Sequence, residues 1–148
     1  TEVAQEVQRS AFPDAYGDHE TEGRVVASTL AGHTEASMVC RLDAPTAPSD
    51  QARLLSDLDQ HLGLTGRVSE DGSTLTLESS DRRTAWSVGQ YLVAKADRHA
   101  ITAVTVGDQQ WTRASGRSAL QWHSAHSPTA QTQVVAVLSP GGPEDSTL

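Results

Sequence analysis

The chain has 148 residues, an apolar fraction of 36% and a formal net charge of -8. That length fits one ordinary domain or a small domain with an appendage, and so low an apolar fraction confines the dense core to part of it. Residues 1–62 carry eleven acidic and four basic side chains against eight and seven in residues 63–148, which excludes the basic footprint of a nucleic-acid binder or of a protein drawn to anionic lipid.

In chain order, Val3, Ala4, Val7 and Ala11 recur at helical spacing over residues 1–11, and Phe12-Pro13 ends the pattern. Asp14 is placed as a helix N-cap. A second helical stretch spans 20–31, with Val25, Val26, Thr29 and Leu30 as its apolar side and Gly32 as its stop. Both are poor in large apolar residues, so they must pack on the rest of the chain or on a partner. Residues 43–48, DAPTAP, read as a linker. Ser49 or Asp50 then caps a helix over 50–62, with Leu54, Leu55, Leu58 and Leu62 as its stripe and Gly63 at its end.

Beyond Gly63 the period changes to two. Leu64 to Val68 alternates weakly, Asp71-Gly72 signals a hairpin turn, and Leu75 and Leu77 share one face of the next strand. The stretch 84–98 reads as an amphipathic helix. Ala85, Val88, Leu92 and Ala96 form its stripe, and Trp86, Gly89 and Val93 widen it. Gln90, Lys95 and Arg98 fall outside the stripe and are expected to stay wet. Ile101–Val106 is a β-branched strand ending at a Gly107-Asp108 turn, followed by a strand at 109–112. Short strands are expected at 119–123 and 133–138, with a loop between them and a disordered tail over 139–148. The fold class is α+β: a mostly antiparallel sheet covered by helices 50–62 and 84–98, preceded by a short helical segment.

Chemistry is sparse. His99, His123 and His126 match no metal-ligand spacing and read as surface histidines, so neither metal nor cofactor is expected. Cys40, the only cysteine, sits in apolar Met38-Val39-Cys40-Arg41-Leu42. Burial, or a bond to a cysteine outside the chain, fits it better than a thiol nucleophile served by His33 or His19. Glu20 and Glu22, or Asp14 and Asp18, read as helix-terminal acids rather than a glycosidase pair. Trp86 reads as a core anchor. Trp111 and Trp122, with His123 beside them, are either core anchors or a shallow sugar-stacking groove. No run of eighteen apolar residues spans a membrane, and no signal-peptide pattern opens the chain.

Two stretches carry a resemblance. Val3–Leu42, VAQEVQRSAFPDAYGDHETEGRVVASTLAGHTEASMVCRL, resembles the closing segment of a lysozyme-like domain in actinobacterial cell-envelope proteins that often bear the label "heavy metal transporter". Ala85–Thr112, AWSVGQYLVAKADRHAITAVTVGDQQWT, resembles the helix–strand–strand unit of the domain that follows it, a relative of the zinc D-Ala-D-Ala carboxypeptidase fold. The catalytic glutamate of such a lysozyme-like domain lies ahead of the matching segment and is not in this chain. Where the peptidase fold places its zinc ligands, this chain has no histidine in SEDGSTLTLESS, Thr76 or Leu77 in place of the aspartate, and no His-x-His in TQVVAVLSP. The resemblance thus implies a helical remnant of a lysozyme-like domain (1–42), a linker (43–49), a degenerate peptidase-like domain without metal (50–138) and a tail (139–148). It also implies that Cys40 pairs with a cysteine upstream of this sequence. The expected function is non-enzymatic: an extracellular or envelope module that binds or positions peptidoglycan for a lysozyme-like partner, with Trp111, Trp122 and His123 at the ligand. The alternative is an interaction module whose helical arm docks on a partner chain.

Overall fold

Asp50 and Gly63 close the ends of the first full helix. In the computed structural model, which describes residues 29–140, helix α1 runs Gln51–Leu62. Asp50 accepts from the Arg53 amide at 3.1 Å, and Gly63 takes a left-handed φ of 65° that lets its own amide reach the last carbonyls. The expected helices at 1–11 and most of 20–31, Asp14, and the tail beyond Pro140 lie outside the described residues. Thr29 and Leu30 are helical, and Gly32, at φ 81°, turns the chain out of the helix as its position predicts.

Strands β1 (Arg67–Val68) and β2 (Thr74–Glu78) form the hairpin expected around Asp71-Gly72. The Asp71 carboxylate accepts from the Ser69 hydroxyl, the Ser73 hydroxyl and the Ser73 amide at 2.6, 2.7 and 3.0 Å, and these bonds hold its carboxyl down to about 2. Helix α2 (Arg82–Ala94) starts on an Asp81 cap that accepts from the Thr84 amide at 2.7 Å. The single helix expected over 84–98 is divided. Lys95 leaves helical geometry at φ -103°, ψ 11°, and a short helix α3 (Ala96–His99) ends on Ala100 in the left-handed region, φ 54°. That kink and reversal aim the chain into β3 (Ile101–Val106), which Gly107-Asp108 joins to β4 (Gln109–Thr112). The strand expected at 119–123 is displaced. Arg117–Leu120 form a 3₁₀ turn, because the Ala119 carbonyl turns inward to accept the Trp111 indole N–H at 2.9 Å, and pairing begins only at β5 (His123–Ser124). Strand β6 (Gln133–Leu138) closes the described fold.

The sheet order is β1-β2-β6-β3-β4-β5, antiparallel throughout, so β6, the last of the described strands, is central. Leu75, Ala136, Val104 and Trp111 lie in register across four strands and face the helices. Leu54 and Leu58 of α1 and Trp86, Val88, Leu92 and Val93 of α2 complete this core. Gly89 of α2 lies close against Val104 and Val106 of the sheet, with no room for a side chain.

Residues 29–42 form a strap across α2, joined to the α+β unit largely by side chains. Gln90 of α2, expected to stay wet, is fully buried beneath it. Its Oε1 accepts from the Ser37 and Met38 amides at 2.8 and 3.0 Å, and its Nε2 donates to the Thr29 and Thr34 carbonyls at 2.9 and 2.7 Å. Ser87 donates to the Leu30 carbonyl, Arg83 to that of Ala31, and Trp122 to that of Met38. Arg82 and Glu35 form a two-pronged ion pair with both N–O distances 2.7 Å, but both side chains are exposed, so solvent screening leaves it little weight in stability.

Replacing Gly89 by alanine tests the close approach of α2 to the sheet. In an open helix the change gains about 1 kcal/mol of propensity. Here a Cβ would run into the Val106 methyl, and such overpacking costs about 1–3 kcal/mol. Gly89→Ala is expected to lower the thermal midpoint, measured by circular dichroism.

Candidate functional site

The strap continues into residues 43–48, the stretch expected to be a linker, and this loop is held at both ends. Leu42 N–H donates to the Ala114 carbonyl at 2.9 Å, and Arg113 Nε donates to that of Asp43 at 2.7 Å. At the far end the Ser49 amide donates to the Ser139 carbonyl at 3.0 Å. Pro45 and Pro48 stiffen the span between these anchors. The loop thereby walls a cleft of about 550 Å³, whose other side is made by Asp97, Arg98 and Ala100 at the end of α3 and by Arg113 and Ser115 after β4. That size is ordinary for a small-ligand site.

The cleft's cations are unequal. Arg113 is almost fully buried and spent on the protein: besides Asp43 it reaches the Ala96 and Ile101 carbonyls at 3.1 and 3.4 Å and Asp97 at 3.3 Å. Its role is to tie the loop, the end of α3 and β4 together. Arg41 is exposed and has no ion-pair partner among the described residues. Arg98 is half-exposed and makes one bond among the described residues, from Nε to Asp57 Oδ2 at 3.2 Å.

Behind Arg98 lies a polar cluster between α1 and α2–α3. His99 is fully buried, with Nε2 2.9 Å from Asp57 Oδ2, although the contact is poorly directed and neither ring nitrogen has a well-aligned hydrogen bond. Burial holds the His99 imidazole below its ordinary value despite the attraction of Asp57, and the charges of Arg98 and Arg53 act in the same sense. Burial works against charge on Asp57 as well, but the Arg98 bond and charge, with lesser help from His99 and His61, keep its carboxyl below the usual range. Beside it the His61 ring nitrogen lies 3.0 Å from the Tyr91 hydroxyl, whose own pKa is raised by burial and then by Asp57.

Other candidate residues fall elsewhere. Trp111 is fully buried, and Trp122 nearly so, with its ring edge on Trp86 at a centroid distance of 5.0 Å. Both indole N–H groups are bonded inside the protein, so these rings serve the core and present no stacking groove; His123, at the exposed edge strand β5, lies 3.1 Å from the Ser118 carbonyl. His99 is a core residue, not a surface one. His33 is exposed against Arg83 at 2.7 Å, and His126 is also exposed. Cys40 is half-buried with a free thiol, which burial first and the nearby charge of Asp97 second push up, so it stays protonated near neutrality. Among the described residues no three His, Cys, Asp or Glu side chains are placed to share a metal, and no helix is long and apolar enough to cross a membrane. Asp14, Asp18, His19, Glu20 and Glu22 lie outside the described residues. No family model, curated protein or solved structure matches the chain.

The signal for this cluster was present in the spacing. His99 follows Leu92 and Ala96 at the next helical interval of the apolar stripe, and Asp57 lies between buried Leu54 and Leu58.

Because folding depresses the His99 pKa, the folded chain binds fewer protons there than the unfolded chain. Its contribution to stability is complete above the ordinary histidine value of 6.5 and is lost as pH falls below it. The depressed Asp57 carboxyl adds a second loss starting below its ordinary value of 3.8. The thermal midpoint is therefore expected to drop between pH 7.5 and 5, and His99→Gln is expected to remove that drop while leaving the steeper acid limb.

Proposed function

We propose that this chain is a non-catalytic binding module of the cell envelope, and that the cleft walled by residues 41–48 is where it holds peptidoglycan. One observation carries the reading: a loop fixed at both ends walls a cleft of about 550 Å³ beside two arginines, Arg41 and Arg98, whose guanidinium groups are not used up among the described residues. Peptidoglycan offers such a site short peptides rich in carboxylates, the group a guanidinium fork holds best. The envelope setting, extracellular and beside a lysozyme-like partner, rests on the family resemblance of residues 3–42 and 85–112. The buried tryptophans move the expected contact from an aromatic groove to this charged one. Residues 29–42, part of the expected docking arm, are bonded to their own chain.

The test is sedimentation with insoluble peptidoglycan. The chain is expected to pellet with it, and Arg41→Glu, at an exposed position outside the core, is expected to bind about tenfold more weakly with an unchanged thermal midpoint, the weight of one charge-assisted contact. Failure to pellet, or equal retention of Arg41→Glu, contradicts the reading.

A further inference from the structure

Arg98 and His99 share one oxygen. Asp57 Oδ2 is 3.2 Å from Arg98 Nε and 2.9 Å from His99 Nε2, and only Arg98 also lines the cleft. The guanidinium has five N–H donors, and among the described residues one of them is bonded. The charged groups acting on His99 are Arg53 and Asp57 of α1 and Arg98 beside it, and Asp57 in turn faces His61 of α1 and Tyr91 of α2. Asp57 is thus the single acid facing several potential cations.

Three arginines and two aspartates line the cleft, an excess of positive charge that favours an anionic ligand. A planar carboxylate fits the fork of Arg98. Resting on the proposal that the cleft is the binding site, we infer that its ligand is held by a carboxylate group seated on Arg98, and that His99 takes up one proton from solvent as the ligand binds. When Arg98 turns from Asp57 to the ligand, Asp57 remains as a largely buried anion beside a neutral imidazole. A buried charge stripped of its partner is strongly disfavoured. His99, close to Asp57 but poorly bonded, supplies the replacement cation by protonating and aligning on Oδ2. No covalent bond changes: the ligand's negative charge and the imidazole's new positive charge enter together. By reciprocity, acid tightens the ligand and the ligand raises the His99 pKa.

The probe is N-acetyl-alanyl-alanine with a free C-terminus, set against its C-terminal amide. Binding is followed by calorimetry at pH 7.5 and 5.5, and His99 is titrated by NMR. The free acid is expected to bind about fivefold or more tightly at pH 5.5, to raise the His99 pKa, and to outcompete the amide. His99→Gln is expected to bind without pH dependence. Arg98→Gln is expected to lose the acid-over-amide preference and, with no peptide present, to raise the His99 pKa by relieving competition for Asp57. Carboxylate binding that is independent of pH, with the His99 pKa unmoved, overturns the coupling and leaves the cleft reading intact. An Arg98→Gln chain whose His99 pKa is unmoved or lowered overturns the competition without reference to any ligand. No binding of either peptide at either pH, with Arg98→Gln still raising the His99 pKa, counts against the cleft itself.

Discussion

A single buried amide holds this structure together in a way that apolar packing does not. Gln90 is on α2, the helix packed against the central strands, and its side chain satisfies two backbone donors and two backbone acceptors of the strap. A segment that is neither helix nor strand must find partners for its peptide groups when it crosses a core. Here those partners come from a helix side chain 52 to 61 residues later. The amide group suits the task because it presents two donors and an acceptor with two lone pairs. A hydrophobic residue at this position would leave the strap's amides buried and unpaired.

The strap's placement then fixes the site. Once residues 37 and 38 are held, Met38 offers its carbonyl to Trp122, Leu42 reaches Ala114, and the proline-containing loop is drawn over the end of α3. Arg113 finishes the arrangement by bonding three carbonyls and Asp97 from within the protein. The cleft is thus a by-product of anchoring, and its wall is rigid without belonging to a helix or strand. The Asp57–Arg98–His99 cluster plays a comparable part between α1 and α3, with charge in place of amides and one face open to solvent.

Regular elements were legible in the sequence wherever a local rule decided them. Asp50 and Gly63 mark the ends of α1, Asp71-Gly72 and Gly107-Asp108 make the turns expected of them, and Gln133–Leu138 is a strand with the predicted bounds. Together these define the α+β architecture of an antiparallel sheet with helices on it. What escaped was burial of polar groups by distant chain. Gln90 lies one helical repeat from Trp86 and close to Val93, on a flank of the apolar stripe. Nothing local shows that residues 29–38 will cover that flank. His99 and Asp57 lie on apolar stripes, where their polarity masks the signal, although a stripe position predicts burial whatever the side chain. The tryptophans were ambiguous because an indole needs only one acceptor to enter a core, and the carbonyls of Ala119 and Met38 come from segments with no periodic pattern.

The central claim is that the strap belongs to the core of the α+β unit through Gln90. Native-state hydrogen exchange at the Ser37 and Met38 amides measures this directly, since both protons are bonded to the Gln90 side chain and to nothing else in the strap. The account predicts exchange as slow as that of the α2 and β3 amides, so that these protons are released only by global unfolding. Exchange at the rate of an exposed loop, with α2 and β3 still protected, would contradict it.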